Sequence, residues 1–134
     1  MALDIYLQQT ALAPRVGDDC ELIAQLEDDG YYWFLWPLFE QLQRETGQTI
    51  DLYGDAIFSG DNFLKLKTTL TQAEKVIETQ PKNWDVSVGK QTFPQQKTLY
   101  STVEKSKFQS ILNDLQNAVE TAQRLGWYLA FWGD

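Results

Sequence analysis

The sequence predicts an α+β fold: a helix-rich single domain over residues 1–134, with about four helices packed on a small sheet whose C-terminal strand is central. Three observations carry this expectation. Apolar residues recur at three-and-four spacing in the middle and last thirds of the chain, as on amphipathic helices. Short period-two alternations stand near both ends. Apolar residues make up 43% and aromatic residues 13% of the 134 positions, with five Trp, which suffices for a packed core in a chain of one-domain size.

Near the start, Leu3, Ile5 and Leu7 alternate with Asp4, Tyr6 and Gln8, so a strand is expected over 3–8. Thr10 to Gly17, with Pro14 and Gly17, reads as a loop. Asp18 or Asp19 is placed to cap a short helix on which Leu22, Ile23 and Leu26 share a face and beyond which Gly30 lies. Glu27, Asp28 and Asp29 suit the positive N-terminus of the element that follows. That element, YYWFLWPLFEQLQRETG, is read as a helix from about Tyr31 to Thr46, kinked at Pro37 and ended by Gly47; the alternative is an extended 31–36 with the helix starting at Pro37. Glu40 and Arg44 form an i,i+4 pair in the favourable order.

The segment IDLYGDAIFSGD, Ile50 to Asp61, is loop-like and holds three carboxylates and two glycines. Asp61 is positioned to cap a helix with Phe63, Leu66, Leu70, Ala73 and Ile77 inward, stopped by Pro81. Trp84, Val86 and Val88 suggest a strand over 84–88, and 90–98 a polar loop. Ser101 and Glu104 form the signature of a capping box opening a last helix to Leu125, ended by Gly126. Trp127, Leu129 and Phe131 then alternate with Tyr128, Ala130 and Trp132, as in a central strand covered on both sides. Together the strand at 84–88, the last helix and the strand at 127–132 suggest a right-handed βαβ unit with parallel strands.

Composition restricts the chemistry. There is no His and only one Cys, Cys20, so Ser–His and Cys–His catalysis, imidazole zinc sites, thiolate clusters and an internal disulfide are all excluded. The pattern of a signal peptide is missing, and the longest apolar run, YYWFLWPLF, is too short to cross a membrane, so a cytoplasmic location is expected. The net charge of −8 is unevenly placed: residues 1–62 carry twelve acids and two bases, residues 63–134 seven acids and nine bases. Such an acidic half repels nucleic acid; it either steers a basic protein partner or serves solubility alone.

The residues expected to face that partner are Asp18, Asp19, Glu27, Asp28, Asp29, Asp51, Tyr53, Asp55 and Asp134. No catalytic, cofactor-binding or metal-ligating residue is assigned, and no cofactor is expected. Several acids have local duties: Asp61 as a cap, Asp55 in a turn after Gly54, Asp51 accepting from neighbouring amides. Two alternatives stand beside the binding role. One is a carboxylate-based or divalent-metal-dependent hydrolase using Asp51, Asp55, Asp61 and Asp134; the other is an oligomeric scaffold. Tyr31, Tyr32, Tyr53, Tyr128 and Trp132 are the aromatic candidates for an exposed surface, and Trp33, Trp127 and Phe131 for the core.

Two motifs carry a resemblance. Asp51 to Phe58, DLYGDAIF, and Tyr128 to Asp134, YLAFWGD, resemble the central D-x-Y-G-D-x-x-F segment and terminal Y-L-x-F-x-G-D strand of small uncharacterised bacterial proteins, some of them immunity-protein-like. The resemblance covers mainly residues 29–79 and 103–134. It implies a bacterial, cytoplasmic protein without an assigned catalytic residue.

Overall fold

The structure, a computed structural model, describes residues 2–11, 20–91 and 95–133. Among these it holds six strands and three helices: β1 (Ala2–Gln8), β2 (Cys20–Glu27), α1 (Gly30–Thr46), β3 (Asp55–Phe58), α2 (Asn62–Glu78), β4 (Asn83–Gln91), β5 (Lys97–Glu104), α3 (Lys105–Leu125) and β6 (Tyr128–Trp132). The strands form two sheets. One has the order β2-β1-β6-β3 and the other is the β4-β5 pair, and every pairing is antiparallel.

The fold is α+β, but the helix-rich, four-helix expectation is overturned. The segment read as a first short helix is β2, paired along its whole length with β1. The register slips between Ile5 and Tyr6: Ile5 faces Ala24 while Tyr6 faces Leu22, leaving Ile23 as the extra residue of a bulge. A bulge interrupts the period of two. Leu22, Ile23 and Leu26 therefore imitate helical spacing while belonging to a strand.

The βαβ expectation fails as well. β4 pairs with β5 in the second sheet, and β6 lies antiparallel between β1 and β3. Ser101 and Glu104 belong to β5, opposite Val86 and Asn83, so no capping box forms; α3 starts at Lys105 without a side-chain cap bond. The stretch read as a loop over 90–98 supplies the end of β4 and the start of β5. IDLYGDAIFSGD is not wholly a loop either, since its second half is β3. Asp61 precedes α2 as expected, but its side chain makes no cap bond; the turn is closed by the Phe63 and Leu64 amides donating to the Gly60 and Asp61 carbonyls.

α1 runs unbroken through Pro37, so residues 31–36 are helical. Asp29 caps it and Gly47, left-handed at φ 77°, closes it, as Gly126 does for α3. Pro37 is exposed, and the Trp33 carbonyl loses the amide that would ordinarily bond to it.

One face of the large sheet makes the core. Leu3, Ile5 and Leu7 of β1, Leu129 and Phe131 of β6, and Ala56 and Phe58 of β3 are all buried there against the helices. Phe58 and Phe131 meet edge to face at 5.5 Å. The opposite face carries Asp4, Tyr6, Ile57 and Trp132, which are partly exposed, and Gln8 and Ala130, which are buried. Trp132 reaches along it, its indole Nε1 donating to Gln8 Oε1 at 3.2 Å past the row that holds Ala130. This side of β6 is thus shielded by its own Trp132 side chain. The β4-β5 pair is held by a separate aromatic group: Phe108 of α3 stacks on Trp84, 9° from parallel at 6.2 Å, and meets Phe34 and Tyr31 of α1 edge to face.

Candidate functional site

One end of the large sheet gathers most of the predicted contact residues. There β2 finishes at Glu27, opposite Ala2 at the start of β1. Two residues further in, a row crosses all four strands: Gln25 pairs with Asp4, Asp4 with Trp132, and Trp132 with Asp55. Residues directly opposite each other in a sheet project from the same face. Asp4 and Asp55 therefore flank Trp132 on the outer side, and Gln25 Nε2 donates to Asp4 Oδ1 at 2.7 Å.

The turn from β2 into α1 adds two more carboxylates. Asp29 is the N-cap of α1, its Oδ1 accepting from the Tyr31 amide at 3.0 Å. Burial pushes the Asp29 carboxyl above its ordinary range, and Glu27 adds to the rise. The Tyr31 and Tyr32 amides and Lys107 pull the other way without overcoming it. Asp28 is exposed, and its Oδ1 accepts from the Trp33 indole at 2.6 Å.

The third part is the turn ahead of β3. Asp51 Oδ1 accepts from the Tyr53 amide at 2.9 Å, an Asx turn, and the Asp51 carbonyl accepts from Gly54 at 3.3 Å. The Gly133 amide donates to the Gly54 carbonyl at 2.8 Å. A Cβ on Gly133 would lie 2.5 Å from Gly54 O, 2.6 Å from Gly54 N and 2.7 Å from Asp51 O, all backbone atoms. Gly133 is thus demanded by the turn it packs on, which ties the Gly54 turn to the end of β6. Gln48 Oε1 accepts from the Ile57 amide at 2.9 Å and so occupies part of the free edge of β3.

Tyr32 joins the last two parts. Its buried hydroxyl donates to the Ile50 carbonyl at 3.1 Å. The phenol is raised well above its usual range, first by burial, then by the negative charge of Asp51 and more weakly of Asp28. Tyr32 stands in the first turn of α1 and bonds the residue before Asp51, so the β2–α1 turn and the Asp51 turn lie side by side.

Of the predicted contact residues, Glu27, Asp28, Asp29, Asp51, Tyr53 and Asp55 share this end of the sheet. Glu27, Asp28 and Asp55 are exposed, and Tyr53 is 64% exposed. Asp18, Asp19 and Asp134 lie outside the described residues. Asp61 lies past the far end of β3, a strand roughly 10 Å long, away from Asp55. Two aromatic expectations are corrected: Tyr31 and Tyr32 are buried, at 7% and 2% exposure, with Tyr31 Oη accepting from the Glu104 amide at 3.1 Å. Sequence reasoning passed over Asp4. The signal was present, since Asp4 is the one charged residue in β1 and alternates with Leu3 and Ile5.

Among the described residues, no group of three His, Cys, Asp or Glu side chains could hold a metal ion, and no helix is long and apolar enough to cross a membrane. The surface is rich in hydrogen-bond acceptors, and ionised carboxylates only accept. An exposed phenol and a partly exposed indole lie among them. Lysine and arginine side chains match such a surface, and Tyr and Trp supply the contact area that binding hot spots use. Comparison with protein-family models, with curated proteins and with solved structures gives no match for this chain.

Proposed function

We propose that the chain is a non-enzymatic bacterial binding protein, acting in the cytoplasm, that takes up a basic protein partner in the manner of an immunity-type inhibitor. The observation that carries this reading is the convergence of Glu27, Asp28, Asp29, Asp4, Asp51 and Asp55 on one end of the sheet, around Tyr53 and Trp132. The resemblance of Asp51–Phe58 and Tyr128–Asp134 to immunity-protein-like sequences supports the same role. A field of one sign speeds the encounter with an oppositely charged surface, and the aromatic groups hold the complex once formed.

The test is retention of a partner from host lysate on immobilised protein, followed by binding of the purified partner at low and high salt. The expected partner is basic. Its association slows about tenfold or more as salt rises, and Asp55→Lys weakens it, because rim charges act mainly on the association rate. A retained protein that ignores both salt and Asp55→Lys would remove the basis for this reading.

A further inference from the structure

The two edges of the large sheet are treated differently. The β3 edge is four residues long and partly occupied by the Gln48 side chain. The β2 edge is eight residues long, and among the described residues no strand pairs with its outer side. An edge that no described strand covers is a template for an incoming extended chain.

Beside that edge, between the first half of β2 and α3, lies a groove of about 390 Å³. Its floor includes Leu7 and Ala118; Glu21 and Ile23 form the strand wall, and Asp114 and Thr121 stand on the helix wall. The bulge is what turns Glu21 toward this groove, opposite Asp114 of α3. Beyond Ile23 the strand has changed face, so that Glu21 pairs with Leu7 and lies on the helix side, while Leu22 pairs with Tyr6 and, 47% exposed, borders the groove from the outer side. An unbulged β2 would place Leu22 over the groove and Glu21 outside it. Among the described residues, no lysine or arginine lines it.

We propose that the β2 edge and this groove form a docking site for an extended basic segment of a partner protein. The segment adds to β2 as a fifth strand, and a lysine or arginine from it lodges in the groove beside Glu21 and Asp114. The occupant is extended because a sheet edge is satisfied by strand backbone, and alternate side chains of an added strand then point into the groove. It is basic because two carboxylates that lose water need a cation in exchange. A second copy of this chain fits less well, since it would bring its own Glu21 and Glu27 to the same seam. The site does not depend on the acidic end of the sheet, and different residues report on it.

The experiment uses the full chain, labelled with ¹⁵N, titrated with a short end-blocked peptide of alternating lysine and valine. Controls are the same peptide with glutamate for lysine, and one with a central proline. The lysine peptide is expected to shift the amides of 20–26 and 114–121 saturably, and both controls are expected to leave them in place. Asp114→Lys, at an exposed helix position, should weaken the lysine peptide about tenfold, whereas Asp55→Lys should not. Absence of saturable shifts, shifts confined to 27–29 and 51–55, equal response to the glutamate or proline peptide, or indifference to Asp114→Lys would each overturn the proposal. The second of these results would leave the acidic-end reading standing.

Discussion

Asp29 performs two duties that pull its ionisation in opposite directions. As the N-cap of α1 it accepts from the Tyr31 amide, which favours the charged form, yet burial outweighs this and leaves its folded pKa raised. A raised carboxyl favours the protonated form in the fold. Its stabilising contribution is complete below the unfolded pKa and is lost as pH rises through the folded one, so at neutral pH the ionised group is held at a cost. Asp29→Asn keeps an acceptor for the Tyr31 amide and removes the charge. It should melt at least as high as the parent at pH 7, with the difference vanishing in acid, where the parent is neutral too. Asp29→Ala loses the cap and should be less stable by about 1 kcal/mol. Thermal melts across the acid and neutral range check both, and equal losses in the two variants would show that the cap bond is not what Asp29 contributes. Tenure of a partly buried carboxyl here makes sense if its charge faces a partner.

At the level of elements, the β4-β5 pair shares no strand with the large sheet and joins the rest of the fold through α1 and α3. Phe108 is fully buried and touches rings from α1 and β4 at once. Phe108→Ala should cost about 3–5 kcal/mol in urea denaturation. The loss should be uneven: hydrogen exchange of β4 and β5 amides should accelerate more than that of β1 and β6. Uniform acceleration would mean that the pair belongs to one cooperative unit with the sheet. The same elements show what was legible beforehand. α1, α2, α3, β1 and β6 each have a periodicity that tertiary structure leaves intact, and α1 could be read through Pro37 because its apolar positions continue on both sides. β2 was misread because one bulged residue, Ile23, turns alternation into apparent helical spacing. β5 was misread because a serine three residues before a glutamate occurs in a strand as readily as at a cap. The pairing of strands distant in sequence leaves no local trace, so the parallel β4–β6 arrangement was an inference from order alone. The site followed the same rule: Asp51 and Asp55 stood out by spacing, whereas the row Gln25, Asp4, Trp132 and Asp55 exists only through register.

Over the whole molecule, the proposed binding role sets stability against recognition, because it gathers carboxylates at one end. The acidic end spans four strands, roughly 14 Å from β2 to β3. Charges on its two edges interact fully at about 0.01 M salt, where the screening length is about 30 Å, and far less at 0.1 M, where it is about 10 Å. The free protein therefore carries a self-repulsion that a basic partner would relieve and that salt can imitate. Its melting temperature should rise between these two salt concentrations, opposite to the behaviour of a fold held by surface ion pairs. Asp55→Asn removes one exposed charge from the β3 side of that field without touching the core. It should raise the melting temperature at low salt, lose the advantage at high salt, and weaken partner binding in the same low-salt range. Calorimetric melts of the two proteins over a salt series measure the first two effects. A melting temperature that falls with salt would mean that attractive pairs dominate the surface, and the grouping of acids at this end would then be a matter of stability rather than of recognition.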